Sequence, residues 1–123
     1  MREAHPILLS TDESLGDDVH LRYPYFEHDE PVQWDDDQSY VPTSRAVAAT
    51  RTYEWNHSLG EIVTALIASG LRIDLLVEHD TAPWEALPGQ MMRREGSEWA
   101  LAERSGVMPL SFTIRATRPA DQA

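Results

Sequence analysis

Three side chains of different chemistry stand directly before a predicted helix start: Trp55, Asn56 and His57. An aromatic ring and an amide can orient a planar or hydroxylated ligand, and a neutral imidazole can accept a proton. In open α/β sheets, ligands bind beyond the carboxyl ends of the strands, where helices begin. On such a sheet these side chains would face the ligand crevice and form a substrate site, with His57 as the catalytic base. In the alternative interpretation, Trp55 packs back on the helix and the two polar side chains form local turn bonds.

The other histidines and carboxylates do not form a metal-binding pattern. His28 with Asp29 and Glu30, or His79 with Asp80, offers nitrogen and oxygen ligands, but no H-x-x-x-H or H-E-x-x-H spacing places two imidazoles on one helix face. The aspartates at 35–37 lack the alternating spacing of a calcium loop and predict a solvated tip. No G-x-S-x-G nucleophile motif occurs. We predict no metal site.

Length and charge limit the class of protein. A chain of 123 residues suits one domain. Asp and Glu outnumber Lys and Arg by 21 to 10, which gives a net charge of −11 and disfavours nucleic acid or an anionic membrane as partner. The absence of cysteine excludes disulfides and thiolate metal sites. The early apolar run at residues 6–9 is too short for a signal peptide or a membrane span, so we expect a cytoplasmic protein.

One helix and two strands have clear sequence signals. Ser58 and Glu61 form an S-x-x-E capping box, and Gly70 can take the left-handed conformation that ends a helix. The helix has one apolar stripe at helical spacing, formed by Leu59, Ile62, Val63, Leu66 and Ile67. Alternating polarity predicts a half-buried to fully buried strand at residues 71–79 and a last strand at residues 109–117.

The rest of the chain predicts a hairpin and a long connection. Residues 19–26 alternate in polarity, and Pro24 among them is typical of an edge strand. Residues 45–55 form a second extended run rich in threonine. We expect these two runs to pair, with the acidic residues 27–44 as the loop between them. Residues 80–106, rich in proline, glycine and charge, are predicted to be irregular.

Several stretches of the sequence resemble one family. They are "HP" at 5–6, "YPYF" at 23–26, "YEWNHSLGEIVTALIASGLRI" at 53–73, "EHD" at 78–80 and "MPLSFTIRAT" at 108–117. These stretches are similar to the C-terminal part of class I S-adenosylmethionine-dependent methyltransferases, in particular the small-molecule type 11 group of bacteria. The resemblance covers essentially the whole chain, and residues 53–73 are its most specific part.

The resemblance implies a fold and a division of the chain. The family has a seven-stranded, doubly wound sheet whose last strand is antiparallel. Residues 1–10 would follow the fifth strand, and residues 11–57 would be an insertion that covers the substrate. Residues 58–117 would supply the last helix, the sixth strand and the antiparallel seventh strand, and residues 118–123 would be a tail. The implied fold class is α/β: a partial doubly wound sheet with a β-hairpin-like insertion and too few elements to cover both sheet faces.

The resemblance also implies roles for further side chains. Tyr23, Tyr25 and Phe26 would line the substrate pocket as a lid that excludes water. His5 would lie near the sulfonium end of S-adenosylmethionine. Aromatic residues in a strand are otherwise typical of cross-strand packing, and a histidine before a proline is typical of a turn. Both alternatives stay open.

The function implied by the resemblance is methyl transfer from S-adenosylmethionine to a small-molecule acceptor. The glycine-rich turn and the acidic residue that hold the cofactor in that family are absent from these 123 residues. We therefore expect the chain to be inactive alone and to need a missing N-terminal half, or a second copy, as partner. The competing hypothesis is a non-catalytic interaction or dimerisation module that associates through an exposed sheet edge and helix face.

Overall fold

The computed structural model describes residues 1–14, 18–35 and 51–120. In chain order, the elements are β1 (Arg2–Ala4), α1 (Pro6–Leu9), β2 (Val32–Asp35), β3 (Arg51–Glu54), α2 (Leu59–Ala68), β4 (Arg72–His79), β5 (Met91–Arg93), a 3₁₀ turn (Glu95–Ser97), β6 (Trp99–Leu101) and β7 (Ser111–Thr117). The main sheet has three strands in the order β1–β7–β4, and β2–β3 and β5–β6 form separate hairpins. The fold is mixed α/β.

The final strand β7 runs antiparallel to both of its neighbours. Consequently β1 and β4 run parallel to each other, with β7 between them. Ala4 and His79 both pair with Ser111, so β1 and β4 end at the same edge of the sheet. Phe112 and Ile114 are buried, as the apolar alternation predicts. The prediction of a strand at residues 109–117 is confirmed.

The predicted helix is confirmed with its caps. The Ser58 hydroxyl accepts a hydrogen bond from the Glu61 N–H at 3.1 Å, and the Glu61 carboxylate accepts one from the Ser58 N–H at 2.8 Å. The helix ends at Ser69, and Gly70 follows with φ of +94°, a conformation that glycine adopts at little cost. None of the residues of α2 is buried, and Ile67 in its apolar stripe is 57% exposed.

The strand predicted at residues 71–79 is confirmed as β4, but its predicted burial is wrong. Leu75, Leu76 and Val77 are 38%, 42% and 38% exposed. Because successive side chains of a strand point to opposite faces, both faces are open at the centre of β4. Alternation determines which side chains share a face, but burial also requires a second layer packed against that face. β4 is in addition the last strand of the sheet: it pairs with β7 on one side, and no described strand pairs with its other edge.

The edge strand predicted at residues 19–26 is wrong, because this segment forms no strand. The N–H groups of Arg22 and Tyr23 both donate to the carbonyl of Ser10, at 2.8 and 3.0 Å. In a β-strand, by contrast, successive N–H groups point to opposite sides of the strand and do not share one acceptor. Pro24 then supplies no N–H at all.

The predicted hairpin has a different partner. The run at residues 45–55 contains β3, but β3 pairs with β2, which lies in the stretch predicted to be the loop. Val32 stands opposite Glu54 at the open end of this pair. Residues 36–50, which include the second half of the predicted loop and the start of the second run, lie outside the described residues.

The connection predicted to be irregular, residues 80–106, contains both the β5–β6 hairpin and much of the core. Ala82 and Trp99 exchange backbone hydrogen bonds at 2.9 and 2.8 Å and fold the connection back on itself. The buried cluster comprises Leu8, Ala82, Ala86, Leu87, Met91, Leu101 and Leu110. Strands of three residues are too short to give a periodic signal, which is why the sequence did not predict this hairpin.

Candidate functional site

The predicted site at residues 55–57 lies at the edge of the main sheet where β1 and β4 end. A three-residue turn joins α2 to β4, and the helix packs against that strand, so the helix starts near the carboxyl end of β4. Asn56 Nδ2 donates to the carbonyl of Pro6 at 2.9 Å, just beyond β1. This is the edge at which open α/β sheets bind ligands.

Asn56 joins three segments of the chain. Its Nδ2 atom lies 2.9 Å from the Pro6 carbonyl oxygen, 3.3 Å from the Pro24 carbonyl oxygen and 3.4 Å from the Ser10 hydroxyl. An amide NH₂ group has two hydrogens to share among these acceptors. The Asn56 amide nitrogen is therefore engaged in holding the protein together at this edge.

Residues 21–30, here called the strap, cover the start of α2. The Tyr25 hydroxyl accepts a hydrogen bond from the Leu59 N–H at 3.1 Å, one of the N–H groups that a helix start leaves unpaired. The Glu27 N–H donates to the Glu61 carboxylate at 3.3 Å. Phe26 packs edge-on against Tyr25, with 5.0 Å between ring centroids, and is 65% exposed. Of the predicted lid residues, Tyr25 contacts the helix start and Phe26 presents its ring to solvent.

The start of the strap is anchored to the segment after α1. The Arg22 guanidinium lies 5.5 Å from the centroid of the half-buried Tyr23 ring, within cation–π range. Arg22 also donates to the Asp12 carboxylate at 3.0 Å. The Ser14 hydroxyl, and after it the Arg22 guanidinium, hold the pKa of the Asp12 carboxyl below its usual range. The third predicted lid residue, Tyr23, thus belongs to an anchor.

His57 faces carboxylates from two elements. Its Nδ1 atom lies 3.9 Å from a carboxylate oxygen of Glu27 on the strap and 3.9 Å from one of Glu61 on α2. No described residue forms a hydrogen bond with its Nε2 atom, and the side chain is 46% exposed. Trp55, two residues before it, is 50% exposed. The site therefore offers an imidazole nitrogen and an aromatic surface to solvent.

His5 is turned into the protein. Its Nδ1 atom accepts a hydrogen bond from the Ile7 N–H at 3.1 Å and caps α1. With Nδ1 acting as an acceptor, Nε2 carries the proton and donates to Glu78 at 2.7 Å. The ring lies edge-on to Phe112, and the residue is 4% exposed. Both ring nitrogens have hydrogen-bond partners within the chain, which agrees with the alternative that this histidine before a proline is a turn residue.

Three carboxylates organise these side chains, and sequence reasoning gave them no such role. They are Glu27, Glu61 and Glu78. The spacing of four residues between His57 and Glu61 is a readable signal for a contact at a helix. Glu27 and Glu78 come from elements far from their partners in the sequence, and no spacing rule connects them.

Comparisons of the chain with protein-family models, with curated proteins and with solved structures find no match. Across residues 1–14, 18–35 and 51–120, no three His, Cys, Asp or Glu side chains are grouped so as to hold a metal ion. The same ranges contain no helix with the length and apolarity needed to cross a bilayer. The features that define the molecule are a mixed α/β fold and an aromatic and imidazole cluster at one edge of its main sheet.

Proposed function

We propose that this chain is the substrate-side part of a class I S-adenosylmethionine-dependent methyltransferase domain of the type 11 small-molecule group. The observation that carries this proposal is the direction of the strands. β1 and β4 run parallel, and the final strand β7 runs antiparallel to both. This matches what the sequence resemblance implies for the closing part of a partial doubly wound sheet, in which α2 is the last large helix.

The exposed apolar surface supports a larger domain. A doubly wound sheet is covered by helices on both faces, and its strands are rich in aliphatic residues. Here the centre of β4 is open on both faces, and the apolar stripe of α2 is only partly covered. In this proposal, the rest of the methyltransferase domain packs against these surfaces.

The residues of this chain do not fit an S-adenosylmethionine site on their own. His5, the side chain predicted to lie near the sulfonium, is 4% exposed and has both ring nitrogens engaged. None of the six glycines stands in a G-x-G pattern, the glycine-rich turn that lays the cofactor against a helix start in that family. We therefore propose that another part of the domain holds the cofactor and that this chain alone does not transfer methyl groups.

The methyl acceptor, in this proposal, is a small molecule that approaches the start of α2. Trp55 and Phe26 expose aromatic surface there, and Nε2 of His57 can accept a proton from an acceptor group. Asn56 and Tyr25 have a supporting role, because their polar atoms hold the strap against the helix. Most of the rate enhancement would come from alignment of the reactants.

The first test is to sequence the DNA upstream of the Met1 codon and to translate it in the same frame. The proposal expects a strand, a G-x-G turn and an acidic residue about 20 positions further on. A protein that joins this segment to the present chain should bind S-adenosylhomocysteine, whereas the present chain alone should give no binding heat. Within the joined protein, Trp55→Ala and His57→Gln should lower methyl transfer and leave S-adenosylhomocysteine affinity unchanged. An interrupted frame with no such segment nearby would overturn the proposal.

A second candidate is a non-catalytic module that associates with itself through α2 and β4. The exposure of Leu75, Leu76 and Val77 favours it, because neighbouring apolar side chains at a sheet edge invite association. Light scattering after size-exclusion chromatography separates the candidates. A stable dimer that buries more than about 1,000 Å² supports the module, and a monomer at micromolar concentration contradicts it.

A further inference from the structure

One imidazole nitrogen lies between carboxylates of the strap and of α2. Nδ1 of His57 lies 3.9 Å from Glu27 on the strap and 3.9 Å from Glu61 on α2. We infer that His57 is a pH-sensitive clamp: the protonated ring holds the strap closed over the start of α2, and the neutral ring releases it. This inference concerns the strap itself and does not depend on methyl transfer.

Electrostatics gives the clamp its direction. The two carboxylates approach the same atom, so they lie within a Debye length of each other, about 8 Å at physiological ionic strength. When the ring is neutral, two negative charges on separate elements face each other and favour separation. When the ring is protonated, one positive charge attracts both carboxylates and favours the closed strap.

The strap is held by few other contacts, so a modest electrostatic change can move it. Its start is anchored through Arg22 to Asp12, and the Asn56 amide binds the Pro24 carbonyl at 3.3 Å. Beyond these, the Tyr25 hydroxyl binds the Leu59 N–H, and the Glu27 N–H binds Glu61 at 3.3 Å. Phe26, its largest apolar side chain, is 65% exposed and adds little buried surface. Segments with few buried contacts and exposed hydrogen bonds open locally at low cost.

The other histidine and carboxylate side chains of the strap and of the end of β3 have no described hydrogen bond or ion pair to α2. On the strap these are His28, Asp29 and Glu30, and at the end of β3 it is Glu54; all four are exposed. His28 bonds through Nδ1 to the backbone of Glu30, within the strap. It is a second exposed imidazole on the same strap that does not bridge to α2, and it is therefore the control that the experiment needs.

Amide hydrogen exchange measured by NMR on the whole chain tests the clamp. The Glu27 and Leu59 amides report strap closure, and protection factors remove the intrinsic pH dependence of exchange. Unperturbed imidazoles titrate near pH 6.5, so about pH 5.5 and about pH 7.5 compare the two forms. We expect about three-fold higher protection of both amides at the lower pH, the size typical of an exposed ion pair. The buried Phe112 amide should show no such change.

Three variants decide the outcome. His57→Gln should remove the pH dependence of both amides, and Glu27→Gln should reduce it, because the strap then loses its charged partner. His28→Gln should leave it intact. The inference is overturned if wild-type protection does not depend on pH, if the dependence persists in His57→Gln, or if it disappears in His28→Gln.

Discussion

The α2–β4 unit and the connection between β4 and β7 differ in a way that their sequences do not suggest. α2 has a capping box, an apolar stripe and a glycine end, yet none of its residues is buried. Residues 80–106 have no clear periodicity, yet Ala82, Leu87 and Ala100 in this stretch are at most 1% exposed. The comparison shows that local signals set the ends of an element, whereas burial depends on the surfaces brought around it.

The two regions should therefore contribute differently to stability. Complete burial of one aliphatic or aromatic side chain stabilises a fold by about 1.5–3 kcal/mol, whereas one helix cap contributes about 1 kcal/mol. The connection and β7 hold the buried residues, and α2 holds the cap. Most of the stabilisation from side-chain burial in the described residues comes from the connection, α1 and β7.

The largest expected effect is in the buried cluster. Leu87→Ala should lower the free energy of unfolding by about 2–5 kcal/mol, because it leaves a cavity at a side chain that is 1% exposed. Ile67→Ala on α2 is the matched control, and its cost should stay under about 0.5 kcal/mol because Ile67 is 57% exposed. Urea unfolding followed by circular dichroism measures both. Similar losses in the two variants would show that α2 is covered in solution.

A smaller effect is expected at the helix cap. Ser58→Ala should cost about 1 kcal/mol, because the Glu61 N–H loses its acceptor at a buried position. Ser69→Ala is the control, since the Ser69 hydroxyl only donates back to the Leu66 carbonyl at an exposed site. Thermal unfolding of the two variants provides the measurement. If both behave like wild type, the cap contributes nothing and α2 depends on packing alone.

The sequence predicted those parts of the fold whose signals are local. The S-x-x-E box and Gly70 defined α2, and alternation over seven or eight residues defined β4 and β7. It did not predict β5 and β6, whose three residues each are too few to alternate. It also paired β3 with the wrong run, because strand pairing is a non-local choice that one strand's composition does not encode.

The candidate site divides in the same way. The position of Asn56 and His57 at a helix start was predictable, because the capping box fixes where α2 begins. Their partners were not, since Asn56 bonds to Pro6 and Pro24, and His57 meets Glu27, all far away in the sequence. The inward turn of His5 was one of two open interpretations, and its bond to Glu78 requires the assembled sheet.

Two glycines of the α2 region should respond to alanine with opposite signs. Gly70 has φ of +94°, so Gly70→Ala should cost about 1 kcal/mol through backbone strain. Gly60 lies in the first turn of α2, and an added Cβ would meet only the Ser58 hydroxyl oxygen at 3.9 Å. Gly60→Ala should therefore stabilise by up to about 1 kcal/mol, because alanine loses less backbone entropy in a helix. Urea unfolding checks both signs, and a stabilising Gly70→Ala would contradict the helix end described here.

The smallest effect concerns two carboxyls, one at the strap's anchor and one on β4. The Ser14 hydroxyl, and after it Arg22, hold the pKa of Asp12 below its usual range. For Asp74 the largest cause is the Thr117 hydroxyl, followed by Arg72. When the pKa of a carboxyl is lower in the folded state than in the unfolded state, its ionised form stabilises the fold at pH values above the unfolded-state pKa. This contribution is lost as the pH falls through the folded-state pKa.

NMR titration of the two carboxyl carbons gives the test. Ser14→Ala should raise the midpoint of Asp12 and leave that of Asp74 unchanged, and Thr117→Val should do the reverse, because the two networks share no group. Arg22→Gln should raise the Asp12 midpoint by less than Ser14→Ala, since the Ser14 hydroxyl is the larger cause. A larger shift in Arg22→Gln would mean that the ion pair with Arg22, rather than the Ser14 hydroxyl, is the main cause of the lowered pKa of Asp12, and that this ion pair holds the start of the strap. The strap would then weaken in high salt, as an exposed ion pair does.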